Sequence, residues 1–250
     1  MRINFFEEYP TKANLAKAHL IKHPCIVFLA AKSMSDFLSS SAELKKFNHR
    51  IESAYWPIIA NSYWISPFSN TKDLQNLYNE LEKNQIKGLK VLLDLEFPFK
   101  NLKLILKNLF SFGRNKNIIK SIFKNADKFD IEIFTAEYPL PYELLHFLGI
   151  SYSRKYKHSR IPMYYSSMLT WERIKKYCRD LVTIPQKRHT HIALGVIKKG
   201  TFGTEPILSA ENLKKDLEFF KDEATSVTIF RLGGLNKEYI DIIKGYQRQY

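Results

Sequence analysis

Cysteine is nearly absent from these 250 residues. Cys25 and Cys178, the only two, stand in apolar or helical surroundings without metal-type spacing. That excludes a disulfide scaffold and a cysteine-based metal centre, and both are expected to be buried, reduced thiols. Glycine is also scarce, at nine residues, and no stretch rich in Gly, Ser or Pro divides the chain. A single domain over 1–250 is therefore expected, with no internal repeat beyond the alternation described below. No apolar run approaches the roughly 20 residues of a membrane span. The opening MRINFFEEY lacks the apolar stretch and cleavage site of a signal peptide, so a cytoplasmic location is expected.

Acid is the scarcer charge: 25 Asp and Glu face 39 Lys and Arg, a net charge of +14. Such a surplus admits phosphate-bearing partners or anionic lipid. A coding bias toward Lys, Asn and Ile would produce the same surplus without any partner. Hydrophobic residues make up 45% of the chain, enough for a sizeable core.

Apolar or β-branched runs occur at 2–9, 25–31, 51–59, 88–97, 130–138, 160–168, 191–198 and 226–232. Segments with helical period separate them: Leu15/Ala18/His19, Leu74/Leu77/Leu81, Ile174/Tyr177/Cys178/Leu181 and Leu213/Leu217/Phe220. Helix starts are expected at Ser35-Asp36, Thr71 with Asp73, and Ser209 with Glu211 and Asn212. Eight strands alternating with helices predict a closed (β/α)8 TIM barrel, with an open doubly wound sheet as the rival. One unit is oversized. The segment 98–129 has room for two short helices broken near Gly113, and interleaves Lys103, Lys107, Arg114, Lys116, Lys120 and Lys124 with Leu, Ile and Phe. It suits either an ordinary barrel helix with solvated lysines or a helix lying on an anionic membrane.

Barrel chemistry gathers at the carboxyl ends of strands, where loops vary over a rigid frame. The acids expected there are Glu7 and Glu8, Asp94 and Glu96, Glu137, and Glu205 in the loop after the seventh strand. Lys32, Tyr55, Trp56, Tyr164, Tyr165, Lys198 and Arg231 stand at comparable positions. Alternation places Asp94 and Glu96 on one face, likewise Thr135 and Glu137, and lets only one of Glu7 and Glu8 point inward. Each acid could equally pair with Lys32 or Arg231, or cap a helix. Glycoside cleavage needs one carboxyl that keeps a proton and a second charged group. Glu96 beside Asp94 is the candidate for the first, and Glu137 for the second.

The run LLDLEFP at 92–98 resembles the end of the fourth-strand motif of the chitinase-like glycoside hydrolases, and PMYYSS at 162–167 resembles that family's Met-x-Tyr-Asp. The resemblance implies a glycoside-hydrolase-type barrel. Under it Glu96 is the proton donor, Asp94 orients a substrate acetamido group, and Tyr165 is a ligand to that group. The chain departs from the pattern at Leu92, where another Asp is expected, and at Ser166 in place of the sixth-strand Asp. It departs again at Phe230-Arg231, where the family places a sugar-stacking Trp.

Two other readings stand beside a glycosidase-like hydrolase. The loops KKGTFGTEP and RLGGLNKEY could cradle a phosphosugar through Gly203, Gly233 and Gly234 with Lys198 and Arg231. A non-catalytic role would use the basic clusters at 100–124 and 154–160 on a membrane surface; neither belongs to a nucleic-acid-binding motif. The partner expected is a small molecule or glycan, with no cofactor; a His-based metal site is not expected because the seven His fall away from strand ends, and carboxylate-only magnesium binding is left open. Oligomeric state is left open.

Overall fold

The computed structural model describes residues 1–60, 62–98, 101–153, 155–170, 172–174, 191–201 and 203–247. The helix expected through Tyr177, Cys178 and Leu181 lies outside the described residues, as do Lys100, Arg154 and His189. Eight strands are present: β1 Arg2–Glu7, β2 Cys25–Ala31, β3 Ile51–Pro57, β4 Leu89–Leu95, β5 Ile131–Glu137, β6 His158–Pro162, β7 His191–Gly195 and β8 Ser226–Phe230. They form one sheet in the order β6-β5-β4-β3-β2-β1-β8-β7, and the registered pairs are parallel. That is the cyclic order of a (β/α)8 barrel. Just past β6, Met163 bridges Ala193 of β7, and the Tyr164 N–H donates to the Ala193 carbonyl at 2.8 Å.

Helices connect the strands: α1 Lys12–Leu15, α2 Met34–Phe47, α3 Thr71–Asn84, α4 Leu102–Asn108, α5 Phe112–Lys124, α6 Ala126–Phe129, α7 Tyr142–Phe147, α8 Ala210–Phe220 and α9 Lys237–Lys244. Their apolar spacing matches their burial. In α3 Leu74, Leu77 and Leu81 are buried, and in α8 Leu213, Leu217 and Phe220. Ser209 caps α8 as expected. Two caps lie one or two residues earlier than the sequence suggests. Asn70, not Thr71, accepts from the Lys72 and Asp73 amides, and Ser33 rather than Ser35 accepts from Asp36. Thr71 instead donates to Asn115 at 2.7 Å. The break in the oversized segment is a 3-10 turn at Leu109–Ser111, with Gly113 inside the first turn of α5.

The chain divides into two compact units. The first comprises Met1–Ala30, Leu38–Ser53 and Ile161–Tyr250; the second comprises Ala31–Phe37 and Ala54–Arg160. In the first, registry groups Asn4, Phe6, Phe28, Thr228 and Phe230 on one face, and Phe5, Glu7, Val27 and Leu29 on the other. The Asn4 side chain donates to Ser226 at 2.8 Å and accepts from the Ile26 amide, while His191 meets the Thr228 hydroxyl at 2.6 Å. Burial pushes His191 down to about 3, so it stays neutral. Phe6 stacks near Phe28 and Phe230, with ring centroids 5.4 and 6.3 Å away. Cys25, buried on the Phe5 face, is a free thiol whose pKa burial raises to about 12.

In the second unit the register Tyr55↔Val91, Val91↔Ile133, Leu93↔Thr135 and Leu95↔Glu137 sets one face, and Leu92↔Phe134 with Asp94↔Ala136 the other. Tyr55 identifies the first as the side under the helices. Its ring lies 5.2 Å from Phe37, and its hydroxyl donates to Glu80 of α3 at 2.8 Å. Glu80 also accepts from the Met34 amide at 2.7 Å, tying the start of α2 to α3. Among the described residues no helix is long and apolar enough to cross a membrane.

Candidate functional site

The sheet sorts the strand-end acids into two kinds, and it does so differently from the sequence expectation. In the first unit Glu7 lies on the helix side. Its carboxylate accepts from Arg231 at 2.8 Å, the Tyr9 amide at 2.9 Å, Asn14 of α1 at 3.2 Å and the Gly233 amide at 2.6 Å. The Glu7 and Arg231 side chains are 0% and 7% exposed. Burial pushes the Glu7 carboxyl upward, opposed by the Arg231 charge and the two amides. Arg231 donates twice more to the Lys199 carbonyl and lies 4.7 Å from the Tyr9 ring. Glu7 and Arg231, expected to bind substrate, hold each other instead. The reason is alternation: Glu8, two residues beyond Phe6, takes the face turned away from the helices, where its carboxylate meets the Thr201 hydroxyl and where a Cβ on Gly200 would touch both Glu8 and Phe230. Tyr165 lies nearby, its ring 6.0 Å from Phe230.

The phosphate cradle expected in the loops after β7 and β8 is filled by the protein. The Gly233 amide already serves Glu7, and Lys198 donates to Asn14 at 2.9 Å and to the Gly233 carbonyl at 3.1 Å. Burial and the neighbouring Arg231 charge lower the Lys198 pKa. Glycine is required here by crowding. A Cβ would stand 2.5 Å from the Asn14 side-chain oxygen at Gly233 and 2.5 Å from the Ile197 carbonyl at Gly234. Gly203 sits at φ +67 with open space around it, the mark of a turn. Glu205 is buried in that loop, and Lys32, expected near the end of β2, is exposed.

The second unit repeats the sorting. Glu137, fully buried, accepts from Thr135 at 2.7 Å, from Ser151 at 3.1 Å, and from two nitrogens of Arg160 at 2.8 and 2.6 Å. With its oxygens filled on the helix side, it is an anchoring anion. Glu137 is in register with Leu95, and its carboxylate is taken by Arg160 in place of the expected pairing with Glu96. Tyr55 is likewise a core residue, its hydroxyl pushed upward by burial and by the Glu80 charge. Asp94, 4% exposed, lies on the other face with Ala136, as does the buried Trp56. Past the strand ends, the Tyr138 hydroxyl donates to Glu96 at 2.8 Å. Asp94 on the face away from Tyr55, and the Tyr138–Glu96 pair just past the strand ends, are the remaining strand-end groups of this unit.

Arg160, Ser151 and Asn14 were not among the residues singled out from sequence. Arg160 and Asn14 carry no local signal, since each acts on an acid more than five residues away. Counting twos groups Glu8 with Phe6, but the equally apolar Phe5 leaves the face itself undecided. Among the described residues no group of three or more His, Cys, Asp or Glu is arranged to share a metal ion.

No protein-family model matches the sequence, and no curated protein matches it. A solved structure described as Xylose isomerase domain protein from Planctomyces limnophilus superposes with a TM-score of 0.50 over 98% of this chain and 94% of that one. The fold is a TIM barrel. At 9% identity the similarity concerns the fold alone, and it lends no support to the chitinase-like resemblance.

Proposed function

We propose that the chain is a glycosidase-like hydrolase whose reacting groups are Glu96 and Asp94, with Tyr138 holding Glu96 in place. The observation that carries this reading is the 2.8 Å hydrogen bond from Tyr138 to Glu96, two residues beyond buried Asp94 at the end of β4. A glycosidic leaving group requires a carboxyl that can give up a proton, and this reading assigns that part to Glu96.

Because Glu137 is committed to Arg160, it is not the second carboxylate of the reaction. The chemistry that the chitinase-like resemblance of LLDLEFP implies is then substrate-assisted. Glu96 gives its proton to the glycosidic oxygen as the C1–O bond breaks, and the oxygen of a neighbouring acetamido group, oriented by Asp94, bonds to C1. Water then opens that ring and returns a proton to Glu96. The substrate class that this resemblance implies is a 2-acetamido sugar glycoside.

The test is turnover of fluorogenic N-acetylglucosamine oligosaccharides by the wild type and Glu96→Gln. The wild type should release fluorophore, and the variant should lose release while its melting temperature stays nearly unchanged. Full activity in the variant would overturn the assignment.

A further inference from the structure

The segment 97–126 contains seven Lys or Arg and not one Asp or Glu. Its α5 half behaves as an ordinary barrel helix, with Ile119, Ile122 and Phe123 buried. The α4 half does not. Leu104, Ile105 and the buried Asn108 turn toward the protein, while Leu102, Leu106, Leu109 and Phe110 are 69%, 68%, 50% and 100% exposed. At helical spacing i, i+4, i+7 and i+8 these four share one outward stripe, and the exposed Lys103 and Lys107 flank it. Lys116 of α5 donates to the His146 carbonyl at 3.1 Å, bringing α7 alongside, and α7 also exposes Leu144 and Phe147. A phenylalanine fully in water and leucines half or more exposed beside lysines form a surface that is not finished by the fold.

We infer that α4 and its following turn are a docking surface for an anionic lipid bilayer. Apolar side chains along one stripe with flanking lysines and no acid match the interfacial arrangement, in which the stripe enters the acyl boundary while cations meet headgroups. Charge complementarity singles out this occupant: a second copy of the chain would bring the same acid-free basic segment against itself. The inference is independent of the hydrolase reading, since none of these residues belongs to that site.

The experiment is co-sedimentation of the full chain with phosphatidylcholine vesicles with and without phosphatidylglycerol, at low and high salt. Binding to the anionic vesicles alone, weakened by salt, is expected. Leu106→Asp with Phe110→Asp should lower the bound fraction about tenfold, as should Lys103→Glu with Lys107→Glu, each leaving the melting temperature unchanged. Phe219→Asp, at an exposed phenylalanine on α8, is the control and should bind as the wild type does. Absence of vesicle binding overturns the inference. So do binding untouched by the α4 variants, a dimer that Phe110→Asp dissociates in place of vesicle binding, and binding of RNA but not vesicles.

Discussion

Replacing Arg231 by Met tests whether the helix-side ion pairs are structural. The change removes the 2.8 Å partner of Glu7 while keeping most of the buried stem. Glu7 would remain with two amides and Asn14 as donors, 0% exposed and without a counter-charge. Breaking a buried pair by removing one partner costs about 3–5 kcal/mol, because the other charge stays behind in a poorly solvating interior. In a chain of this length each kcal/mol lowers the melting temperature by roughly 2–4 °C, so Arg231→Met should melt roughly 6–20 °C early. Glu7→Gln with Arg231→Met should cost less than Arg231→Met alone, since no buried charge is left unpaired. Urea unfolding of the two singles and the double closes the cycle. An Arg231→Met variant within about 0.5 kcal/mol of wild type, as expected for an open surface position, would refute the locked pair and return Arg231 to the list of ligand-binding groups.

Three further outcomes follow from the packing. Asp216, buried on α8 with the Ser166 hydroxyl at 2.5 Å, has its pKa raised by burial to about 6 from 3.8. The folded chain therefore keeps this proton where the unfolded chain has lost it, and stability on the order of 2–3 kcal/mol should be lost as pH rises from about 4 to about 6. Asp216→Asn should flatten that part of the curve in matched denaturant titrations, and an unchanged slope would count against it. Gly234→Ala should cost about 1–3 kcal/mol by forcing its Cβ against the Ile197 carbonyl, and neutrality in urea unfolding would show that the loop gives way. Inorganic phosphate at millimolar concentration should not raise the melting temperature, because the Gly233 amide is taken by Glu7; protection would revive the phosphosugar reading.

The fold was legible because it rests on repetition. Runs such as CIVFLAA, buried at every position, and the 74/77/81 spacing of α3 each carry their own period, and eight recurrences leave little choice of topology. The caps were legible to within two residues, since Asn70 and Thr71 are both competent and only geometry decides between them. The site was legible in its residue types and not in its sides. Whether Glu7 or Glu8 faces away from the helices depends on which parity of β1 the helices cover, and the face of Glu137 follows from a register between β4 and β5 that neither strand encodes alone. The partners that fix the outcome, Arg231 for Glu7 and Arg160 for Glu137, lie 224 and 23 residues away. The segment of α4 was legible as basic and amphipathic but not as outward-facing, for a related reason: nothing in the sequence says which of its two apolar sides is covered.

The central claim is that Glu96 is a reacting acid and Glu137 an anchoring one, and the most direct measurement compares Glu96→Gln with Glu137→Gln in the same N-acetylglucosaminide turnover and thermal-melt assays. Glu96→Gln should lose turnover and keep its melting temperature. Glu137→Gln, which leaves Arg160 without its carboxylate, should be destabilised by about 2–4 kcal/mol yet turn over normally per folded molecule. Turnover lost in a fully stable Glu137→Gln and retained in Glu96→Gln would contradict the account.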